Sequence, residues 1–146
     1  MEFLVWEREL YTHIDRVDQE HMKVVDSLNQ LHRDWKSGAV PHETLLALMD
    51  QTTDILDAHF QDEIIRQRYG LQYPKWDLHE KVHIKFIQKF RSLQQEIHNN
   101  LRPIEDYLNE MKRWFTMHVS VHDQGYVRYM KANNIDPSAY ENLQRP

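Results

Sequence analysis

Ten histidines and no cysteine stand in a chain of 146 residues, so any chemistry here must be built from imidazoles and carboxylates. Without thiols there is no disulfide, no thiolate nucleophile and no Cys-based zinc or iron–sulfur site. His21, His59, Glu63, His79, His83 and His118 each fall where the helical period assigns an interior position. A buried ionisable group needs a hydrogen-bond partner, a counter-ion or a metal. One buried histidine is ordinarily a satisfied core residue, but six such intrusions spread over four helical segments point to a common purpose. His59 and Glu63 are four residues apart, as are His79 and His83. Each pair therefore projects from one helix face, with Cβ atoms roughly 5–6 Å apart, and can reach one metal centre. Asp123 follows His118 by five residues. On a regular helix these two diverge, which suits Asp123 to bridging two metals rather than sharing one with His118.

Counting donors turns the set into a mechanism. Five imidazoles give five nitrogens, two bridging carboxylates give four oxygens, and a bridging hydroxide counts once on each metal. Together they fill eleven of the twelve positions around two octahedral ions, leaving one open for a small ligand. These ligand types suit ferrous iron and also admit manganese or cobalt.

Four helices are required to carry these residues, and the pattern supplies them. After a short arm with Phe3, Leu4, Val5 and Trp6, a helix is predicted from about Asp15 to Lys36. Val17, His21, Val24, Leu28, Leu31 and Trp35 share one face of it, and Gly38 stands at the C-terminal cap. The second helix opens near Pro41 and runs to about Tyr69, with Leu45, Leu48, Thr52, Ile55, His59 and Glu63 inward and Gly70 closing it. The third runs from about Lys75 to His98, with Leu78, His79, Val82, His83, Phe86, Phe90, Leu93 and Ile97 inward. The fourth is expected from Pro103 to about Ala132, presenting Tyr107, Leu108, Met111, Trp114, Phe115, His118 and Val121 on one face. Asn133 and Asn134 can end it in the left-handed conformation. Ile135, Pro137 and Tyr140 lie in a polar tail that packs locally. No window alternates as a strand does. Short connections between long helices favour an all-α, up-down-up-down antiparallel four-helix bundle with an N-terminal arm and a C-terminal tail.

The bulk numbers agree. Apolar residues make up 40% and charged residues 28%, a globular balance, and the length suits one domain over 1–146. A net charge of -5 gives no nucleic-acid footprint. No apolar run approaches the roughly 18 residues needed to span a bilayer, and the N-terminus lacks a secretion-signal pattern. The cytoplasm is the expected location.

In these residues the chain resembles the hemerythrins, bacterial hemerythrins in particular, over nearly its whole length. The resemblance rests on Trp6, on Val-Asp-Gln-Glu-His ending at His21, and on His-Phe-Gln-Asp-Glu from His59 to Glu63. It continues through His79-x-x-x-His83 and Trp114-Phe-Thr-Met-His118, followed by Asp123 and Tyr126. It implies a non-haem di-iron centre with a bridging hydroxide or oxo group, and reversible O2 binding rather than enzymatic turnover. His79, His83 and His118 would complete one iron, and His21 and His59 would hold the other and leave it open. Glu63 and Asp123 would bridge both. In such proteins each iron gives up one electron and the bridging hydroxide supplies a proton, so that oxygen is held as a hydroperoxide. Phe115 departs from the family, where a leucine commonly lines the oxygen pocket; the bulkier ring narrows the pocket or alters how readily the complex oxidises. The gaps from His21 to His59 and from His83 to His118 are longer than in small invertebrate carriers, so the bundle should extend away from the site.

Other readings weigh less. His79-Glu80-Lys81-Val82-His83 also spells the zinc-protease motif H-E-x-x-H with Glu80 as the base. Its longer extension fails, with Phe86 in the glycine position and Lys89 in the place of a third histidine. A ferritin-like oxidase would need two Glu-x-x-His helices, and only Glu80 to His83 has that spacing. His13, His32, His42 and His98 are expected on the surface, and His122 competes with Asp123 as a ligand. Trp6, Trp35, Trp114, Phe86 and Phe90 read as core, and Tyr126 as a hydrogen-bond partner near the site. Oxygen carriage or storage and oxygen sensing for a partner output domain in a longer protein use the same chemistry, and the sequence leaves both open.

Overall fold

The structure is a computed structural model that describes residues 2–142. Helix α1 spans Asp15–Ser37, α2 His42–Tyr69, α3 Trp76–His98 and α4 Ile104–His118. A π-helical turn, Val119–Asp123, joins α4 to α5, Gln124–Ala132, and a short α6 covers Ser138–Glu141. A 3-10 turn at Arg8–Leu10 lies in the N-terminal arm. No strand occurs among the described residues. α1 packs on α2, α2 on α3 and α3 on α4, and α4 returns to α1. Connections confined to residues 38–41, 70–75 and 99–103 turn each long helix back on the previous one, and the predicted helical bundle is the result.

The helix ends follow local chemistry. Gly38 takes φ 67 and its N–H bonds the Trp35 carbonyl, the left-handed cap that a Cβ would disfavour. Of the two asparagines after α5, only Asn134 is left-handed, with φ 53. Ile135 N–H then reaches back to the Met130 carbonyl at 2.9 Å, satisfying one of the last helical acceptors. Gly70 serves a different purpose. Its φ is −91, which any residue adopts, but a Cβ there would run into the Ala139 carbonyl oxygen. The tail therefore seats directly on the end of α2. Arg66 holds it, donating from one Nη to the carbonyls of Tyr140 at 2.9 Å and Glu141 at 3.2 Å, while its Nε pairs with Asp62 at 2.8 Å.

The apolar interior has two parts. The larger packs Val24, Leu28 and Leu31 of α1 against Met49, Leu56 and Phe60 of α2, Phe86, Phe90 and Ile97 of α3, and Tyr107, Leu108 and Met111 of α4. The smaller gathers Ile14, Val17, Leu71, Tyr126, Val127, Met130 and Tyr140. His21 falls between the two on α1, and Glu63 falls between them on α2. The arm is pinned along the larger part. Leu4 N–H donates to Asn29 Oδ1 at 2.8 Å, and Asn29 Nδ2 donates to the Leu4 carbonyl at 3.0 Å.

Two residues expected inward face solvent: Leu78 is 54% exposed and Val121 53%. Leu78 adjoins His79 in the first turn of α3, and both cannot share the inner face. Val121 sits inside the π-helical turn, whose wider winding shifts it off the stripe that the α-period assigns. His13, His42 and His98 are exposed as expected, but His32 is half-buried, stacked on Phe3 at 4.3 Å.

Gly70→Ala should lower stability by about 1–3 kcal/mol, the usual range for forcing extra volume into a packed site. A denaturant midpoint unchanged by the substitution would show that the tail does not depend on this seat.

Candidate metal centre

All four walls of the bundle contribute to one buried layer. His21 comes from α1, His59 and Glu63 from α2, His79 and His83 from α3, His118 from the end of α4, and Asp123 from the π-helical turn. Each is at most 5% exposed. Their donor atoms form two groups that share both carboxylates: Glu63, His79, His83, His118 and Asp123 in one, and His21, His59, Glu63 and Asp123 in the other.

The turn after α4 corrects the sequence geometry. His118 and Asp123 do not diverge. An i→i+5 winding places them one turn apart on the same face, with His118 Nε2 3.1 Å from Asp123 Oδ1. Asp123 Oδ1 also lies 3.1 Å from His79 Nε2, while its Oδ2 lies 3.2 Å from His21 Nε2. Glu63 spans the groups likewise, with Oε1 3.3 Å from His83 and Oε2 3.5 Å from His59.

Spacing between the imidazoles tests whether ions fit. The Nε2 atoms of His83 and His118 are 3.0 Å apart, those of His79 and His118 3.2 Å, and those of His21 and His59 3.1 Å. Ligand nitrogens about 2.1 Å from a shared ion, at right angles around it, stand about 3 Å apart. Glu63 Oε1 and both Asp123 oxygens are buried without a hydrogen bond, although a carboxylate in that position needs compensation. Converging lone pairs and orphaned carboxylate oxygens are what two cations between them would satisfy.

The electrostatics agree in direction. Burial would raise Glu63 and Asp123, but the imidazoles, His59 and His83 around the first and His118, His21 and His79 around the second, hold both well below the usual carboxylate range. Burial would lower His59, yet the carboxylates of Glu63 and Glu20 outweigh it and raise its pKa to about 10. Burial dominates at His83 and takes it down to about 3.

The surrounding residues orient these groups. The side-chain amide of Gln67 lies against His79 Nδ1, with Nε2 at 2.8 Å and Oε1 at 3.1 Å, and this contact turns His79 Nε2 inward. Glu20 Oε1 approaches His59 Nδ1 to 3.6 Å, an ion-pair distance. Tyr126 donates its hydroxyl to Glu63 Oε2 at 2.9 Å, and its ring stacks on Tyr140. Gln67 was not anticipated, although it continues the His59–Glu63 stripe by another four residues and is fully buried. His122 is exposed and lies outside both donor groups, as does Glu80. Phe60 stacks on His83 at 3.7 Å, Trp114 on His118 at 4.4 Å, and Phe115 meets His21 edge-on at 5.5 Å.

No family model matches the chain. Among curated proteins, the bacteriohemerythrin of Stenotrophomonas maltophilia is 30% identical over 135 residues, covering 91% of this chain and 85% of that protein. The bacteriohemerythrin of Pseudomonas aeruginosa is 30% identical over 132 residues, covering 87% and 81%. The same identity and coverage hold for that of Pseudomonas paraeruginosa. The chain belongs to the bacteriohemerythrin family. Membership of the hemerythrins implies iron, and the buried His/Glu/Asp layer could hold it. No helix of the described residues is long and apolar enough to cross a membrane.

Two outcomes follow from the electrostatics and the outer contacts. His59 keeps its proton up to about pH 10 in the metal-free chain, so loading must displace it, whereas His83 is already neutral. Apparent metal affinity should therefore rise between pH 6 and 8 by about tenfold per pH unit for each proton displaced. A flat profile in metal titrations would mean that the imidazoles enter already neutral. Gln67→Leu should weaken metal binding about 10–100-fold while the helical content holds. Unchanged affinity would show that Gln67 does not orient His79.

Proposed function

We propose that this chain is a di-iron oxygen-binding protein, with His21, His59, Glu63, His79, His83, His118 and Asp123 as the ligands of two iron ions. The observation that carries the proposal is the asymmetry of the two donor groups. Glu63 and Asp123 belong to both, but one group has three imidazoles and the other two. An ion held by His21 and His59 would have one protein donor fewer than its neighbour, which would leave it room for a small ligand such as O2. A pair of ferrous ions, when bound, supplies the electrons that reversible oxygen binding requires.

The chain's own residues do the rest. Glu63 and Asp123 fix the separation of the two positions. Tyr126 holds one Glu63 oxygen by its hydroxyl hydrogen bond. Phe115, 1% exposed, presses its ring edge against His21, limits the room beside the open position and keeps water from it. A pocket of about 190 Å³ lined by Phe60, Ile64, Ile84 and Ile87 reaches His83, on the three-histidine side. This is binding without turnover, in the cytoplasm, within a single domain over 1–146. The net charge of -5 fits a role without a nucleic-acid partner.

The test is iron content per chain, paired with visible spectra of the anaerobically reduced protein before and after oxygen. Two irons, with a colour that appears with oxygen and fades on its removal, are expected. Rapid oxidation without a lasting complex would turn the function from carriage to sensing, and a single zinc without a colour change would sink the di-iron centre. Alanine at His59, His83 or Asp123 should each lower bound iron or abolish oxygen binding. Full iron and normal oxygen binding in all three variants would overturn the ligand set.

A further inference from the structure

Three oxidisable rings touch the candidate centre, and they lead to different places. Trp114 stacks on His118, but its further neighbours are Phe60 and Phe86, benzene rings too hard to oxidise to pass a charge onward. Tyr126 leads from Glu63 through Tyr73, 6.2 Å away, to Tyr129, a further 5.4 Å. Trp6 offers a shorter way out on the side of His21. Its indole lies 6.1 Å from the His21 ring and 5.3 Å, edge-on, from Tyr11, which is 45% exposed.

This path is held in place along its length. Asn29 clamps Leu4 by two hydrogen bonds, just before Trp6. Asp18 accepts the N–H groups of Thr12 and His13, just after Tyr11. Gln124 donates its side-chain amide to the Tyr11 carbonyl at 3.1 Å. Trp6 Nε1 is buried without a hydrogen-bond partner, a cost that a phenylalanine filling the same space would avoid.

We propose that Trp6 and Tyr11 form a one-electron exit for oxidising equivalents that hydrogen peroxide produces on the His21 side of the centre, sparing the ligand histidines. The proposal rests on the di-iron function above. The electrons balance as follows: each peroxide takes up two electrons and two protons and becomes two waters. Tyr11 of the same chain gives up the first electron and a proton. Its phenoxyl takes a hydrogen atom from the exposed Tyr11 of a second chain, and the restored phenol then gives the second electron and proton, so that two phenoxyl radicals stand for each peroxide. Trp6 relays each electron without losing its N–H proton, because no acceptor faces Nε1, so its oxidised form is a cation that Tyr11 refills. The exposed phenol releases its proton to water, which makes it the easier group to oxidise and ends the path there. Two such radicals join by a carbon–carbon bond to give dityrosine, the displaced ring protons returning to the phenol oxygens.

The experiment treats the iron-loaded full chain with hydrogen peroxide. Radicals are read by freeze-quench paramagnetic resonance, and oxidised residues are mapped by mass spectrometry. A tyrosyl radical and dityrosine at Tyr11 are expected, both absent from the metal-free chain under the same treatment. Trp6→Phe should lose the Tyr11 mark and gain oxygen addition at His21, Trp6→Tyr should keep the mark, and Tyr11→Phe should leave the oxidation on Trp6. Iron content and helical content are measured for each variant, so a misfolded Trp6→Phe is recognised and the other two variants carry the test. Dityrosine at Tyr73 or Tyr129, or an undiminished Tyr11 mark in a folded, iron-loaded Trp6→Phe, would overturn the exit. A chain that takes up no iron overturns the di-iron function and the exit together, whereas a chain with two irons and an unmarked Tyr11 overturns the exit alone.

Discussion

Two carboxylates with no exposure to water, Glu63 and Asp123, are the constraint on which the rest of this structure depends. Removing a carboxylate-sized ion from water to a low-dielectric interior has an idealised cost of order 20 kcal/mol, and several kcal/mol per ion survive relaxation. Five imidazoles face the pair, and no element supplies all of them: α1, α2, α3 and α4 each bring at least one. Compensation therefore exists only when all four helices are assembled in the right rotation. A one-residue slip of any helix would turn its ligand some 100° around the axis and leave a carboxylate oxygen exposed to apolar side chains. The site thus selects the register of the bundle as much as the bundle builds the site.

Asp123 reaches that layer through an irregularity. A continuous α-helix from α4 into α5 would carry it away from His118, and the π-helical turn, Val119–Asp123, absorbs the difference. The same turn buries Val119 while releasing Val121 to solvent. It also sets the phase of α5, so that the Tyr126 hydroxyl meets Glu63. Single π turns within helices occur frequently at functional sites, and here a displaced carboxylate is the evident reason.

Much of this was legible in the sequence. Six polar residues on apolar stripes pointed to a shared buried layer, because burial of ionisable groups is costly, and the structure gathers them there; spacings of four showed which pairs share a helix face. The long helices were legible from period, and Gly38 from its position after α1. Asp123 was legible as a residue and not as a geometry, because a period of 3.6 residues contains no information about a local change in winding. Gln67 escaped because a buried amide leaves no charge to stand out on a stripe, though its spacing from Glu63 was visible. The seat of the tail was hidden for another reason: Gly70 looks like any helix-ending glycine, and only the approach of Ala139 shows that it makes room. Leu78 and Val121 show the converse limit, since apolar type alone does not bury a residue when a neighbour or a winding defect claims the inner face.

The polar layer also partitions the molecule's resistance to opening. On one side a large apolar cluster ties all four long helices to one another; on the other a small one joins the start of α1, the loop after α2, α5 and the tail. Opening free energies in a folded protein follow such local density of apolar contacts. The small cluster gathers seven buried residues against twenty in the large one, and the His/Glu/Asp layer lies between them. Ions bound in the layer would weld two cooperative units into one, and their departure would let the tail end exchange its amides while the far body stayed protected. The residues that would hold the ions would then report their presence as a change in how much of the chain unfolds together.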